Sequence, residues 1–396
     1  MRYRLTKYAF LLLGLVLVIS LVACAGKPEP VLQSGSTSQW YKTFSSGEGN
    51  SVLQTIDGGY IVCGTTGSYS APESYIYLMK TDAYGNKLWD KAFNAEFQDT
   101  GRSVQQIADG GYIVCGTTAY GRGGKDIRLI KTDADGNTLW DKTFGGENSD
   151  DEGFSVQQTT GGGYIVCGTT YSYVAGSEDI RLIKTDADGN ILWDKTFGGN
   201  EWDSGRSVQQ TTDSGYILCG SKESDGAGED IWLIKTDEDG NKLWDKTFGS
   251  ENSDVSNSVR QTTDNGYIVC GSSVVYGVGT GYIWLIKTDT DGNKLWVKTF
   301  GGEQLDEGYS VQQTTDGGYI VCGTTNSYGA GYFDIWLIKT DASGNKLWDK
   351  TFGGKGLDQG FSVEQTADGG YIVCGATDSY ENKGRIILLL KLAPEQ

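Results

Sequence analysis

The stretch SVQQTTGGGYIVCGTT, residues 155–170, with its continuation DIRLIKTDADGNILWDKTFGG at 179–199, decides the fold. It holds four segments, SVQQT, YIVCG, DIRLIKT and ILWDKTF, each rich in β-branched or aromatic residues and bounded by Gly, Asp or Asn. Such segments read as short strands joined by tight turns. Near-copies of the unit recur down the chain. Trp40, Trp89, Trp140, Trp193, Trp244, Trp296 and Trp348 mark a period of 49 to 53 residues. A four-stranded meander repeated at about this period is the pattern of a β-propeller blade.

Composition agrees. The chain has 396 residues, with 59 Gly and only 4 Pro, which suits many tight turns better than a disordered linker. The ends of the repeat array are complementary. A lone QWYKTF at 39–44 opens it, and the last unit stops after RIILLLKL at 385–392 without its own Trp strand. The expected fold is all-β: a closed seven-bladed β-propeller of four-stranded antiparallel blades, with the N-terminal strand completing the last blade. Closure hides sheet edges that would otherwise recruit other chains. An open β-solenoid is the rival, but its repeats add a coil of about 20–30 residues rather than four strands.

The N-terminus is a separate device. MRYRLTKY is a positive segment and AFLLLGLVLVISLVA an apolar one, followed by Cys24. This is the layout of an export signal. The residues LVAC resemble the lipobox of bacterial-type lipoproteins, and that resemblance implies cleavage before Cys24 and its diacylation. A plain anchor helix, or an ordinary signal with a chance cysteine, is the alternative. With Ala25 after Cys24, the resemblance implies outer-membrane sorting if the source has two membranes. The expected organisation is a signal peptide over 1–23, a lipidated Cys24 with a polar tether over 24–38, and a propeller over 39–396. Loss of Arg2, Arg4 and Lys7 with the signal would take the net charge from −18 to −21. Such an acidic body disfavours nucleic acid and anionic lipid, so the lipid on Cys24 is the expected membrane contact. The body is expected to be a monomer.

The repeat strings GGYIVCGTT and KTDADGNKLWDKTFGG resemble those of a loosely related group of bacterial and archaeal propeller-repeat proteins. The resemblance covers residues 38 to 396 and implies the fold. It implies little about function, because propellers host many activities.

Each unit carries one cysteine in YIVCG: Cys63, Cys115, Cys167, Cys219, Cys270, Cys322 and Cys374. Alternation puts Ile and Cys on one face of the strand and Tyr and Val on the other. Both faces of a blade pack on neighbours, so each thiol is expected buried between blades. Adjacent sheets lie roughly 10 Å apart, beyond the ~7 Å limit for disulfide Cα atoms. One thiol per blade also gives no converging metal cage.

Strand direction sorts the loops. TTDGG-type and TDADGN-type turns fall on one face, and the longer, variable loops on the other. The variable face is the candidate binding face. Asp99, Asp151, Asp203, Asp254, Asp306 and Asp358 precede the inner strands and are expected to ring the channel mouth there, either capping turns or holding a cation. Tyr69, Tyr120, Tyr173, Tyr276, Tyr328 and Tyr380 sit early in the other loops, and Tyr171 and Trp202 add further aromatics. Exposed Tyr and Trp suit sugar faces and protein hot spots. The TDADGN segments read as hairpin turns. Calcium is the alternative, though their spacing departs from the EF-hand template and no Glu closes it. No other cofactor is expected.

There is no His, which excludes Ser-His-Asp and Cys-His catalysis. A carboxylate pair stays open, but the blades are nearly alike and show no distinct quinone pocket, so the expectation is not an enzyme. The leading expectation is a membrane-anchored extracytoplasmic binding or scaffold lipoprotein using the variable-loop face toward a protein partner. A glycan-binding surface module and a non-specific spacer are the alternatives.

Overall fold

The computed structural model describes residues 39–395 except 68–72, 94–97, 121–123, 147–148, 173–176, 225–227, 276 and 381–383. The signal, Cys24 and tether expectations lie outside the described residues. Within them the chain is all strand, with no helix.

Seven four-stranded antiparallel meanders follow one another. Blade one spans 47–93, blade two 99–144, blade three 149–197, blade four 203–248, blade five 253–300, blade six 306–352 and blade seven 358–392. The first strand, Trp40–Gln54, belongs to two blades. Its first part is the outer strand of blade seven, with Trp40 facing Lys391, Thr43 facing Leu388 and Ser46 facing Ile386. Its second part is the inner strand of blade one, with Gly47 facing Thr66 and Gln54 facing Tyr60. The ring is therefore fastened as the sequence implies, and blades seven and one form a single seven-stranded sheet.

The core is seven inter-blade layers. Between blades three and four, Ile165, Cys167, Ile180 and Leu182 face Val208, Tyr216, Leu218, Trp232 and Ile234. Burying one such aliphatic side chain contributes about 1.5–3 kcal/mol. The seven repeat cysteines are all buried and unpaired. Burial pushes their thiols up, to about 12 at Cys115 and Cys219, so they stay protonated and act as small apolar groups. Most of these thiols explain a neighbouring glycine, whereas opposite Cys219 stands Ser256. A Cβ on Gly205 would meet Cys167 Sγ at 2.9 Å, and one on Gly153 would meet Cys115 Sγ at 2.8 Å.

The outer-strand Trp of each blade meets the Tyr of the next blade's second strand, edge-on in six cases and tilted at Trp244–Tyr267. Trp193 and Tyr216 have ring centroids 5.9 Å apart, and Trp40 and Tyr60 repeat this across the closure at 5.9 Å. The TDADGN turn lies over the same Trp. At Gly240 the backbone has φ +74°, and a Cβ would lie 2.8 Å from the Trp193 ring; only glycine meets both demands.

Inner strands line a central channel of about 780 Å³. Two complete rings of hydrogen bonds knit them together. A serine in each blade accepts the next blade's valine N–H, as in Val104 N to Ser51 Oγ and, across the closure, Val52 N to Ser362 Oγ. At the turn end, a glutamine oxygen accepts the preceding blade's turn N–H, as in Ile56 N to Gln106 Oε1 and Ala367 N to Gln54 Oε1.

Candidate functional site

The TTDGG and TDADGN turns share one face, and their carboxylates are committed to the turns. Asp237 Oδ1 accepts the N–H of Asp239 and of Asn241, and its Oδ2 accepts Asn241 Nδ2. Asp213 accepts Thr211 Oγ1 and Gly215 N–H, and pairs with the buried Lys235 at 2.9 Å. These acids do backbone work, which is the hairpin reading of the segments.

The opposite face carries the variable loops. Asp99, Asp151, Asp203, Asp254, Asp306 and Asp358 all start their inner strands at this end, but they do not open onto the mouth. Every one is buried, at 0 to 2% exposure. The reason is strand alternation: the side chain turns into its own blade. In blades two and three an arginine of the third strand meets it. Arg128 pairs with Asp99 and Asp141, both at 2.7 Å, and Arg181 pairs with Asp151 at 2.8 Å and Asp194 at 2.7 Å. In the later blades the acids cap loops. Asp254 accepts Ser250 N–H at 2.6 Å, Asp306 accepts Gly302 N–H at 2.8 Å and Asp358 accepts Gly354 N–H at 2.9 Å. The expected ring of acids at the mouth is thus a set of internal struts.

Of the loop tyrosines, Tyr69, Tyr173 and Tyr276 lie outside the described residues, as does the side chain of Tyr120. Tyr328 packs on Trp336 and donates to Gly301 O at 3.0 Å. Tyr380 stacks on Tyr41 at 5.0 Å, beside the ring closure. Both brace their own surroundings.

Trp202 is different. It is 49% exposed, and its backbone is fixed by mutual bonds with Glu223, whose N–H donates to Trp202 O at 2.8 Å. Its indole lies 5.9 Å from the Tyr171 ring. Together they form one wall of a cleft of about 340 Å³ at the inner edge of blades two to four. Glu152, Phe154, Glu178 and Arg206 complete it, with Lys125 ion-paired to Glu152 at the rim. The Arg206 guanidinium sits 4.2 Å from the Phe154 centroid, and Arg102 approaches the same ring at 5.6 Å. Burial pushes the Glu178 carboxyl up, and repulsion from Glu152 adds to this while Arg206 opposes it. The cleft therefore offers two aromatic walls, a stacked cation and three carboxylates, Asp150 included. That combination holds a ligand with both apolar and hydrogen-bonding surface.

Phe154 and Arg206 were not singled out from the sequence, although a signal was present. In every blade the residue before the channel serine is a β-bulge: Asn50, Arg102, Phe154, Arg206, Asn257, Tyr309 and Phe361. A bulge re-aims its side chain. At this position the otherwise similar inner strands alternate between aromatic, cationic and amide side chains.

No protein-family model matches the chain, and no curated protein matches it. Among solved structures it resembles the Neurospora crassa Pan2 WD40 domain, at 9% identity and a TM-score of 0.54, over 91% of this chain and 97% of that one. It also resembles BBS1N in complex with ARL6DN, at 10% identity and a TM-score of 0.51, over 91% and 97%. A puromycin hydrolase gives 13% identity and a TM-score of 0.53, over 84% of this chain but only 50% of that one. At such identities the likeness is one of fold.

Proposed function

We propose that the chain is a lipid-anchored, extracytoplasmic binding protein that takes a partner on its variable-loop face, centred on the cleft between Trp202 and Phe154. The observation that carries this is asymmetry. Seven blades repeat one plan, yet an exposed indole, a stacked guanidinium and several carboxylates gather in one place. Aromatic and arginine side chains in a partly desolvated cleft are the residues that dominate protein–protein binding. The fold neighbours support a module that presents a surface, one of them being a complex with a protein. The LVAC signature supports the anchor, and the chain's lack of His supports binding rather than catalysis.

A glycan is the second reading, because the Trp202–Tyr171 wall beside Glu152 and Glu178 also suits a sugar face with its hydroxyls. The test is capture from native membranes after mild crosslinking, with the lipidated chain and a Trp202→Ala, Tyr171→Ala variant as baits. A protein recovered by the first and lost by the second is the expected result. Surface sugar recovered instead would favour the glycan. Equal recovery by both baits would move the site elsewhere.

A further inference from the structure

The channel holds a third ring, and it is incomplete. Its positions are Leu53, Gln105, Gln157, Gln209, Arg260, Gln312 and Glu364. In four blades the side-chain oxygen accepts the next blade's backbone N–H. Gln158 N donates to Gln105 Oε1, Gln210 N to Gln157 Oε1, Gln261 N to Gln209 Oε1 and Gln365 N to Gln312 Oε1, at 2.5 to 2.7 Å. Glu364 Oε2 does the same for Gln54 N at 2.5 Å.

A backbone N–H can only donate, so these bonds fix each amide with its oxygen toward the neighbouring blade. The Nε2 group, with two hydrogens, is left on the lumen side. Among the described residues, the Nε2 groups of Gln105, Gln157, Gln209 and Gln312 meet no protein acceptor. The turn-end glutamines behave otherwise, since Gln106 Nε2 donates to Gly110 O at 3.4 Å and Gln313 Nε2 to Gly317 O at 3.3 Å. The lumen ring is therefore rich in unused donors.

Two positions break the pattern, Leu53 and Arg260, and of these Arg260 carries the charge. Its guanidinium only donates, so it cannot accept Gln313 N–H. It has no hydrogen-bond acceptor or ion-pair partner among the described residues. Its side chain is exposed to the lumen rather than sealed inside the protein. Glu364 is the carboxylate that acts on it, from two blades away and without forming an ion pair. The guanidinium is thus open to a ligand that enters the channel, and no protein anion is paired with it.

We propose that Arg260, flanked by the amide N–H₂ groups of Gln209 and Gln312, forms a site in the channel for a small oxyanion, either a carboxylate or an inorganic one. Charge-assisted bonds from a guanidinium and preset amide donors suit a planar or tetrahedral oxyanion. Glu364 across the lumen disfavours a high ligand charge. The site is separate from the Trp202 cleft and stands whether or not that cleft binds a partner.

The test is calorimetric titration of the purified full-length chain with acetate, sulfate and phosphate in turn, against chloride. Wild type should bind at least one at one site per chain. Arg260→Gln should lose at least tenfold in affinity. That variant should fold, because its new oxygen can take Gln313 N–H as in four other blades, and its Tm should match or exceed wild type. Glu364→Gln keeps the acceptor for Gln54 N–H and should bind more tightly. The proposal is overturned if none of the three anions binds, if Arg260→Gln binds as well as wild type, or if Glu364→Gln binds more weakly.

Discussion

Asp203 shows how one substitution elsewhere in a blade changes a residue's meaning. In blades two and three the equivalent acid meets Arg128 or Arg181. In blade four that position is Trp232, whose indole N–H donates to Asp245 at 2.9 Å. Asp203 therefore has no arginine, and its Oδ1 is buried without a partner. Burial pushes its pKa up to about 6, with Lys222 opposing and Asp179 adding. The folded-state pKa is thus above the unfolded one. The group supports folding fully below pH 3.8, and that support is lost as pH rises through about 6. Asp203→Asn should leave stability at pH 4 nearly unchanged and raise it at pH 7.5 by about 1 kcal/mol, as read by urea midpoints at both values. Both Asp and Arg are visible in the sequence as repeated letters. Their meeting is not, because Asp99 and Arg128 lie on different strands of the meander and only the pairing register brings them together.

At the scale of the turn, blade three supplies a natural deletion. Six inner turns carry an aspartate that pairs with a buried or half-buried lysine of the third strand; Asp57 with Lys80 and Asp316 with Lys339 are examples. At these two, burial alone would raise the carboxyl. Hydrogen bonds from the turn and the lysine outweigh it and hold the pKa at about 2. Blade three has Gly161 instead. Lys184 there donates to Thr159 Oγ1 at 2.8 Å, and burial pushes its pKa down. A Cβ at Gly161 meets nothing within 4 Å. Gly161→Asp should restore the pair and remove unfolded-state freedom, stabilising the chain by about 1 kcal/mol at pH 7. The part of the gain due to the pair should vanish near pH 2, where the new carboxyl protonates, and thermal melts at the two pH values would check it. Turns and strands of this kind were legible because their signals are local. The convergence of Phe154, Arg102 and Arg206 was not, since it depends on three bulges in three blades facing one mouth.

For the whole molecule, closure rests on the first part of one strand. Removing residues 39–46 would uncover the third strand of blade seven, Ile386–Leu392, all of whose residues are buried. An uncovered apolar edge recruits another chain. The truncated chain should self-associate more strongly than the intact one at the same concentration, and sedimentation velocity would show it. The three-plus-one closure was legible because the sequence has an orphan strand at each end. The sense of the ring was legible too, since repeated turns and variable loops must fall on opposite faces of an antiparallel meander.

The shared strand also sets how the molecule bears load. Trp40 pairs with Lys391, at the short-turn end of blade seven, so the chain before it leaves from the face opposite the variable loops. Tension between residue 39 and anything gripped at the far face runs along the strand. Its ladder with Ile386–Lys391 is then sheared rather than peeled, and its hydrogen bonds are stretched together instead of one at a time. The latch is oriented to hold when pulled.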